Sequence, residues 1–159
     1  MTSDEKYRIG LTTKALIPVN HPIYSTKVLD ETGEYMLKRT CKQLLEEACI
    51  QELSTFNGSI AAVREMFPYK QLTPLVINRS KAIIAFPTLS PKDYHCIWIF
   101  ASQVHTSQTL ALVDPTSTLI YFKDGTSMPV NLSYYSLEKK LARAVMVRNY
   151  CLENAIFSA

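Results

Sequence analysis

Short apolar runs cut by turn residues make up most of the chain, and helical spacing is confined to three stretches. Lys14-Ala15-Leu16-Ile17-Pro18-Val19 reads as a strand. Lys27-Val28-Leu29-Asp30 and Glu34-Tyr35-Met36-Leu37-Lys38, turning through Glu31-Thr32-Gly33, read as the two arms of a hairpin. Gln43 to Ile50 has helical periodicity, with Leu45, Cys49 and Ile50 roughly on one face. Leu53-Ser54-Thr55-Phe56-Asn57-Gly58-Ser59 breaks that pattern; a short helix from Ile60 to Phe67 follows, and Pro68 stops it. Thr73-Pro74-Leu75-Val76-Ile77 is a further short strand, ended by the polar Asn78-Arg79-Ser80.

The second half repeats the alternation of strands and breaks. Lys81-Ala82-Ile83-Ile84-Ala85-Phe86 reads as a buried strand halted at Pro87, and the break Pro91-Lys92-Asp93 leads to Cys96-Ile97-Trp98-Ile99-Phe100, which carries the only tryptophan. Thr118 to Phe122 and Thr126 to Val130 form a hairpin through Lys123-Asp124-Gly125, where Asp-Gly suits a tight turn. Ser133-Tyr134-Tyr135-Ser136-Leu137 opens the last helix. On a helical projection, Leu137, Leu141, Ala144, Val145, Cys151 and Leu152 gather in an apolar stripe of about 120°. Lys139, Lys140 and Arg143 fall on the flanking or opposite side, and Arg148 points into the stripe. The predicted fold is a single α+β domain over residues 1–159, of mostly antiparallel strands with two short helices and a longer C-terminal helix. Repeats and low-complexity tracts are absent from the sequence.

Composition narrows the class only slightly. The 159 residues are 47% hydrophobic with a mean hydropathy of +0.00, enough for a packed core without covalent staples. No run approaches the ~18 apolar residues of a membrane span, and the polar start Met1-Thr2-Ser3-Asp4-Glu5-Lys6 lacks a signal-peptide core. A cytoplasmic protein is expected. Cys41, Cys49, Cys96 and Cys151 show no CxxC spacing, which argues against a zinc site and for reduced, mostly buried thiols. Charge is uneven along the chain. Residues 1–52 hold seven Lys/Arg against eight Asp/Glu, a balance of −1, and residues 53–159 hold ten against six, a balance of +4. A polyanionic partner would face the second part.

Signatures of catalysis are missing. The four glycines, Gly10, Gly33, Gly58 and Gly125, form neither a GxGxxG nor a Walker loop. HExxH, GxSxG and kinase motifs do not occur. The remaining enzymatic arrangement is His95 or His105 activating Cys96 or Cys49, with Asp114 orienting the base. On a strand, His95 and Cys96 would face opposite sides. No catalytic residue, metal ligand or cofactor site is expected.

The order of blocks is more specific than any single residue. Pro74-Leu75-Val76, Phe86-Pro87-Thr88-Leu89-Ser90, Cys96-x-Trp98, His105 and Ser133-Tyr134-Tyr135-Ser136-Leu137 together resemble the ComK family, the competence transcription factors of low-GC Gram-positive bacteria. Weaker agreement through Cys49, Ser54, Phe56 and Gly58 extends the resemblance over roughly Lys42 to Arg148. It implies a DNA-binding activator of DNA-uptake genes that recognises paired AT-rich boxes, largely through the minor groove, as a homodimer or higher oligomer. It also implies adaptor-mediated recruitment to a Clp protease. Two departures stand out. Ser59 and Ile60-Ala61-Ala62 occupy the place where relatives tend to be basic, and the chain ends at Ala159 where longer relatives continue into a tail implicated in adaptor binding. The second departure argues against adaptor-driven turnover here.

Readers of AT-rich minor grooves insert Arg or Lys where the potential is most negative, and released counterions supply much of their affinity. By charge and placement, the DNA-binding candidates are Lys139, Lys140, Arg143 and Arg148 on the last helix, with Arg64, Lys70, Arg79 and Lys81. The rival class is a diverged protein-interaction regulator that has lost DNA contact and pairs with an intact relative, a reading that Ser59 and the modest charge favour.

Overall fold

Alternate residues of the central strands are apolar on both sides, so both faces of their sheet require cover. The computed structural model describes residues 5–105, 112–114 and 116–157. In chain order these form β1 (Thr13–Pro18), β2 (Thr26–Asp30), β3 (Gly33–Leu37), α1 (Cys41–Gln51), α2 (Phe56–Met66), β4 (Leu75–Asn78), β5 (Ile83–Pro87) and β6 (Trp98–Phe100). A 3-10 turn at Ala101–Gln103 leads on to β7 (Leu112–Asp114), β8 (Ser117–Tyr121), β9 (Ser127–Val130) and α3 (Tyr134–Phe157). Six strands make an antiparallel sheet in the order β3-β2-β1-β6-β5-β4, and β7-β8-β9 make a second. The expected α+β class, with two short helices and a longer C-terminal one, is the observed class.

The period of two along a strand divides the core into two halves. Leu16, Leu75, Ile77, Ile83, Ala85, Trp98 and Phe100 point to one face and pack with Leu44, Leu45, Ala48, Cys49, Phe56 and Ile60 of α1 and α2. Their neighbours Ala15, Ile84, Phe86 and Ile99 point to the other face. There they meet Ile120, Met128 and Val130 of the small sheet and Leu137, Leu141, Ala144, Val147 and Cys151 of α3. The sheet is therefore the middle layer of three.

Several boundaries differ from the sequence expectation, each for a local reason. Helix α2 begins at Phe56 rather than Ile60, because the Thr55 hydroxyl caps it by accepting from Gly58 N at 2.9 Å. Gly58 is needed there for space, since a Cβ would lie 2.8 Å from Thr55 Oγ1. Strand β6 begins at Trp98, not Cys96. The preceding residues are held in turns by Cys96 N donating to Asp93 O and His95 N to Asp93 Oδ1. Ile50, expected on the buried face of α1, is 55% exposed; at about 100° per residue it lies well round the helix from Leu45. In α3 the buried stripe includes Val147 and leaves Leu152 exposed.

A buried charge ties the two sheets together. Lys14 of β1, with its side chain 7% exposed, donates to Asp124 Oδ2 at 2.8 Å and to Thr126 Oγ1 at 2.9 Å, both in the β8–β9 turn. Its ammonium also sits 5.5 Å from the Phe122 ring centre. Gly125 makes this turn possible with φ +90°. Burial would raise the Asp124 carboxyl, but the Lys14 and Thr126 hydrogen bonds outweigh it and hold its pKa at about 2.

Cys49, Cys96 and Cys151 are buried free thiols and Cys41 is half-buried. Burial pushes Cys41 and Cys49 up to about 11 and raises Cys96 and Cys151. Cys96 Sγ–H donates to the Leu89 carbonyl at 3.3 Å rather than to a histidine. The side chain of Asp114, the remaining member of the arrangement considered above, lies outside the described residues.

Two outcomes are expected. Asp124→Asn strands the buried Lys14 charge and is expected to cost about 2–4 kcal/mol near neutral pH. Because the folded-state pKa is depressed, the carboxylate's contribution is whole above the ordinary carboxylate range and is lost as pH falls through about 2. Urea unfolding of both proteins near neutral pH and near pH 2 should therefore show the gap closing; a constant gap contradicts this role. Alkylation of Cys49 and Cys96 by iodoacetamide at neutral pH, followed by mass spectrometry, is expected to be at least about tenfold slower than for free cysteine. Faster reaction would mark an activated nucleophile.

Candidate nucleic-acid interface

The ion pairs of the described residues are distributed very unevenly. Arg8 pairs with Glu47, Lys14 with Asp124, Lys27 with Glu34, and Arg39 with Glu5 and Glu47. All four cations lie in the first forty residues. Arg39 also donates to the carbonyls of Glu5 and Tyr7, closing a network over the N-terminal arm. Beside it, the Tyr7 hydroxyl donates to Asp30 Oδ2 at 2.6 Å, and that bond, with those from Thr12 and Thr32, holds the Asp30 carboxyl below its ordinary value against the opposing effect of burial. Among the described residues, none of the eight sequence-predicted cations makes an ion pair.

Five of those eight share one neighbourhood. Lys139, Lys140 and Arg143 lie in the first turns of α3, and Lys70 on the loop between α2 and β4. Together with Gln71 and Leu72 they line a groove of about 450 Å³. Arg64, in the last turn of α2, joins the group through its backbone and side chain: the Lys70 ammonium donates to the Arg64 carbonyl, and Arg64 Nε donates to Thr73 Oγ1 at 3.1 Å. The loop is braced from below by aromatic contacts. Tyr69 stacks on Phe67 with centroids 5.5 Å apart, and the Arg143 guanidinium sits 5.3 Å above the Tyr69 ring. Crowding of like charge is visible in Lys140, whose pKa is lowered by burial first and then by Arg143 and Lys139.

The other three candidates stand apart from this groove. Arg79 and Lys81 are exposed on the β4–β5 turn, and Arg79 lines a different groove with Val147, Tyr150 and Cys151. Arg148 stays within the packed side of α3. It is half-buried, its Nε is shielded from water without a hydrogen-bond partner, and Cys151 beyond it is still buried. Helix α3 therefore does not leave the core before Arg148.

Ser59 is 8% exposed and donates to the Val76 carbonyl of β4 at 2.7 Å. Its position faces the sheet, so the absence of a basic residue there does not remove a charge from the groove. The sequence reading omitted Tyr69, Gln71 and Leu72. No periodicity or motif marks them, and their meeting with α3 depends on the tertiary fold.

The family model described as ComK protein matches residues 4–155. The chain is also 27% identical over 146 residues to the competence transcription factor of Bacillus subtilis (strain 168), covering 91% of this chain and 74% of that protein. No solved structure matches it. With a family match that runs over nearly its whole length, the chain belongs to the ComK family.

Proposed function

We propose that this protein is a DNA-binding transcriptional activator of competence genes, preferring AT-rich boxes contacted through the minor groove and working as a homodimer or higher oligomer. The observation that carries the reading is the group of Lys70, Lys139, Lys140, Arg143 and Arg64 around one groove, none of them neutralised by a carboxylate. A cluster of cations that repel one another gains most from a partner with closely spaced negative charges, and duplex phosphates provide that spacing. The name of the Bacillus subtilis relative and the family match point to the same class. Paired boxes suit an assembly that presents one such groove to each. Ser59 is buried and hydrogen-bonded, so a basic residue at that one position would not reach the groove, whereas Ala61 and Ala62 of the same departure are exposed.

Binding to a duplex with two AT boxes is expected to exceed binding to a GC-rich control in a gel-shift titration. If four cations meet phosphates, a fourfold rise in salt should weaken it on the order of a hundredfold. Equal binding to both duplexes, or none, defeats the proposal, and co-purification with a longer relative without any shift of DNA would favour the interaction module. Replacing Lys139→Ala and Arg143→Ala together is expected to lower affinity similarly on all sequences and to reduce the salt slope by about two. Unchanged affinity would move the DNA surface elsewhere.

A further inference from the structure

The basic groove contains one neutral side chain able to tell base pairs apart, and the geometry points to that residue, Gln71, as the determinant of sequence preference. This rests on the DNA-binding reading above and assigns a residue within the same site.

The loop holding Gln71 is pinned on several sides. Thr73 Oγ1 donates to the Tyr69 carbonyl at 2.7 Å while accepting from Arg64 Nε. The Lys70 ammonium is tied to the Arg64 carbonyl, and Arg143 Nη1 donates to the Gln71 carbonyl at 3.5 Å. Leu72 is half-buried with φ +50°, a left-handed conformation that a leucine adopts only where its surroundings impose it. Gln71 has the opposite arrangement: its backbone is held, yet the residue is exposed and its side-chain amide makes no hydrogen bond among the described residues. A fixed backbone carrying a free amide is suited to reading, since little freedom remains to be lost on docking.

The residues around it determine what it can read. Lys70, Lys139, Lys140 and Arg143 share its groove. Phosphate contacts from such cations set register and affinity but carry no sequence information directly. In the minor groove an A·T pair offers only acceptors, adenine N3 and thymine O2, and a G·C pair adds the donor amino group of guanine. Gln71 would present its amide N–H groups to adenine N3 and thymine O2; a G·C pair adds the guanine amino group, which stands in the floor of the groove and blocks that approach unless the amide turns to offer its carbonyl oxygen. A preference for A·T is expected where the amide, set in one groove with cations that grip the flanking phosphates, approaches the bases with its N–H groups first.

The test uses the full chain, a two-AT-box duplex, a GC-rich control and the AT-box duplex with every adenine replaced by 2,6-diaminopurine. That base keeps the major-groove edge of adenine and places an amino group in the minor groove. Wild-type protein is expected to bind the diaminopurine duplex about as poorly as the control. Gln71→Ala is expected to lose roughly tenfold of the AT preference and its sensitivity to diaminopurine, with an unchanged salt slope. Gln71→Asn, which keeps the amide on a shorter stem, is expected to restore part of both. Lys139→Ala serves as the contrast, weakening all three duplexes together and lowering the slope. If Gln71→Ala keeps the wild-type preference, or loses affinity on all duplexes with a reduced slope, the assignment is wrong while the basic groove stands. If the wild type binds no duplex and Lys139→Ala changes nothing, the DNA-binding reading itself fails and takes the assignment with it.

Discussion

Burial of both faces of the six-stranded sheet is the constraint from which the remaining architecture follows. A strand with alternating residues can leave one face wet, but β1, β5 and β6 have apolar side chains on each. Helices α1 and α2 shield the side of Leu16, Trp98 and Phe100, and α3 with the small sheet shields the side of Ala15, Ile84 and Ile99. The basic groove is a consequence of this layering. It forms where the start of α3, held on one face, comes beside the loop that leaves α2 on the other. Neither element carries the site alone.

Charge is sorted by the same architecture. The acids of the N-terminal part are engaged in holding that part together: Glu5 and Glu47 on Arg39, Glu47 also on Arg8, Asp30 under the Tyr7 hydroxyl. Asp124, one of the six acids of the second part, is engaged by the buried Lys14 from its turn at the surface. Glu65, Asp93 and Glu153 of that part are exposed, so the basic character is local: the cations gather around Lys140, where the weakly basic overall composition understates the potential. A net charge of +3 distributed evenly would offer a polyanion little; the same charge with four cations gathered on one groove offers a directed surface.

The parts of this fold that depend on neighbours in sequence were legible in the chain. Ile83 to Phe86 announced a strand buried on both sides, the Asp124-Gly125 step announced its turn, and the spacing of Leu137, Leu141 and Ala144 announced the packed side of α3. The errors came where a local signal has two readings. Gly58 reads as a breaker, yet it is the residue that lets Thr55 cap α2. Cys96 continues an apolar run, yet the Asp93 turn withholds it from β6. What could not be read were pairings across long separations. Lys14 and Asp124 are 110 positions apart, and Arg143 and Gln71 are 72 apart. Eight cations could be nominated by charge, but only the tertiary fold brings five of them together and withdraws Arg148 into the helix's packed side.

The groove and the core are energetically separable, and this matters for reading function from variants. Helix α3 is held by Leu137, Leu141, Ala144, Val147 and Cys151, none of which lines the groove, and the groove's cations contribute no ion pair to the fold. The Lys140 pKa is lowered first by burial and then by Arg143 and Lys139, so mutual repulsion adds a smaller opposing contribution to the compact state. Lys70, Arg64 and Arg143 make local contacts that hold the loop, but a gathering of like charges with no carboxylate partner is not explained by stability. It becomes favourable only when an anion relieves the repulsion, so the cost to the free protein and the affinity for a polyanion arise from the same side chains. Losses of binding on removing Lys139 or Lys140, which hold nothing else in place among the described residues, can thus be assigned to the interface, whereas a change at Arg143, which also pins the Gln71 loop, or at Lys14 or Asp124 would confound the two.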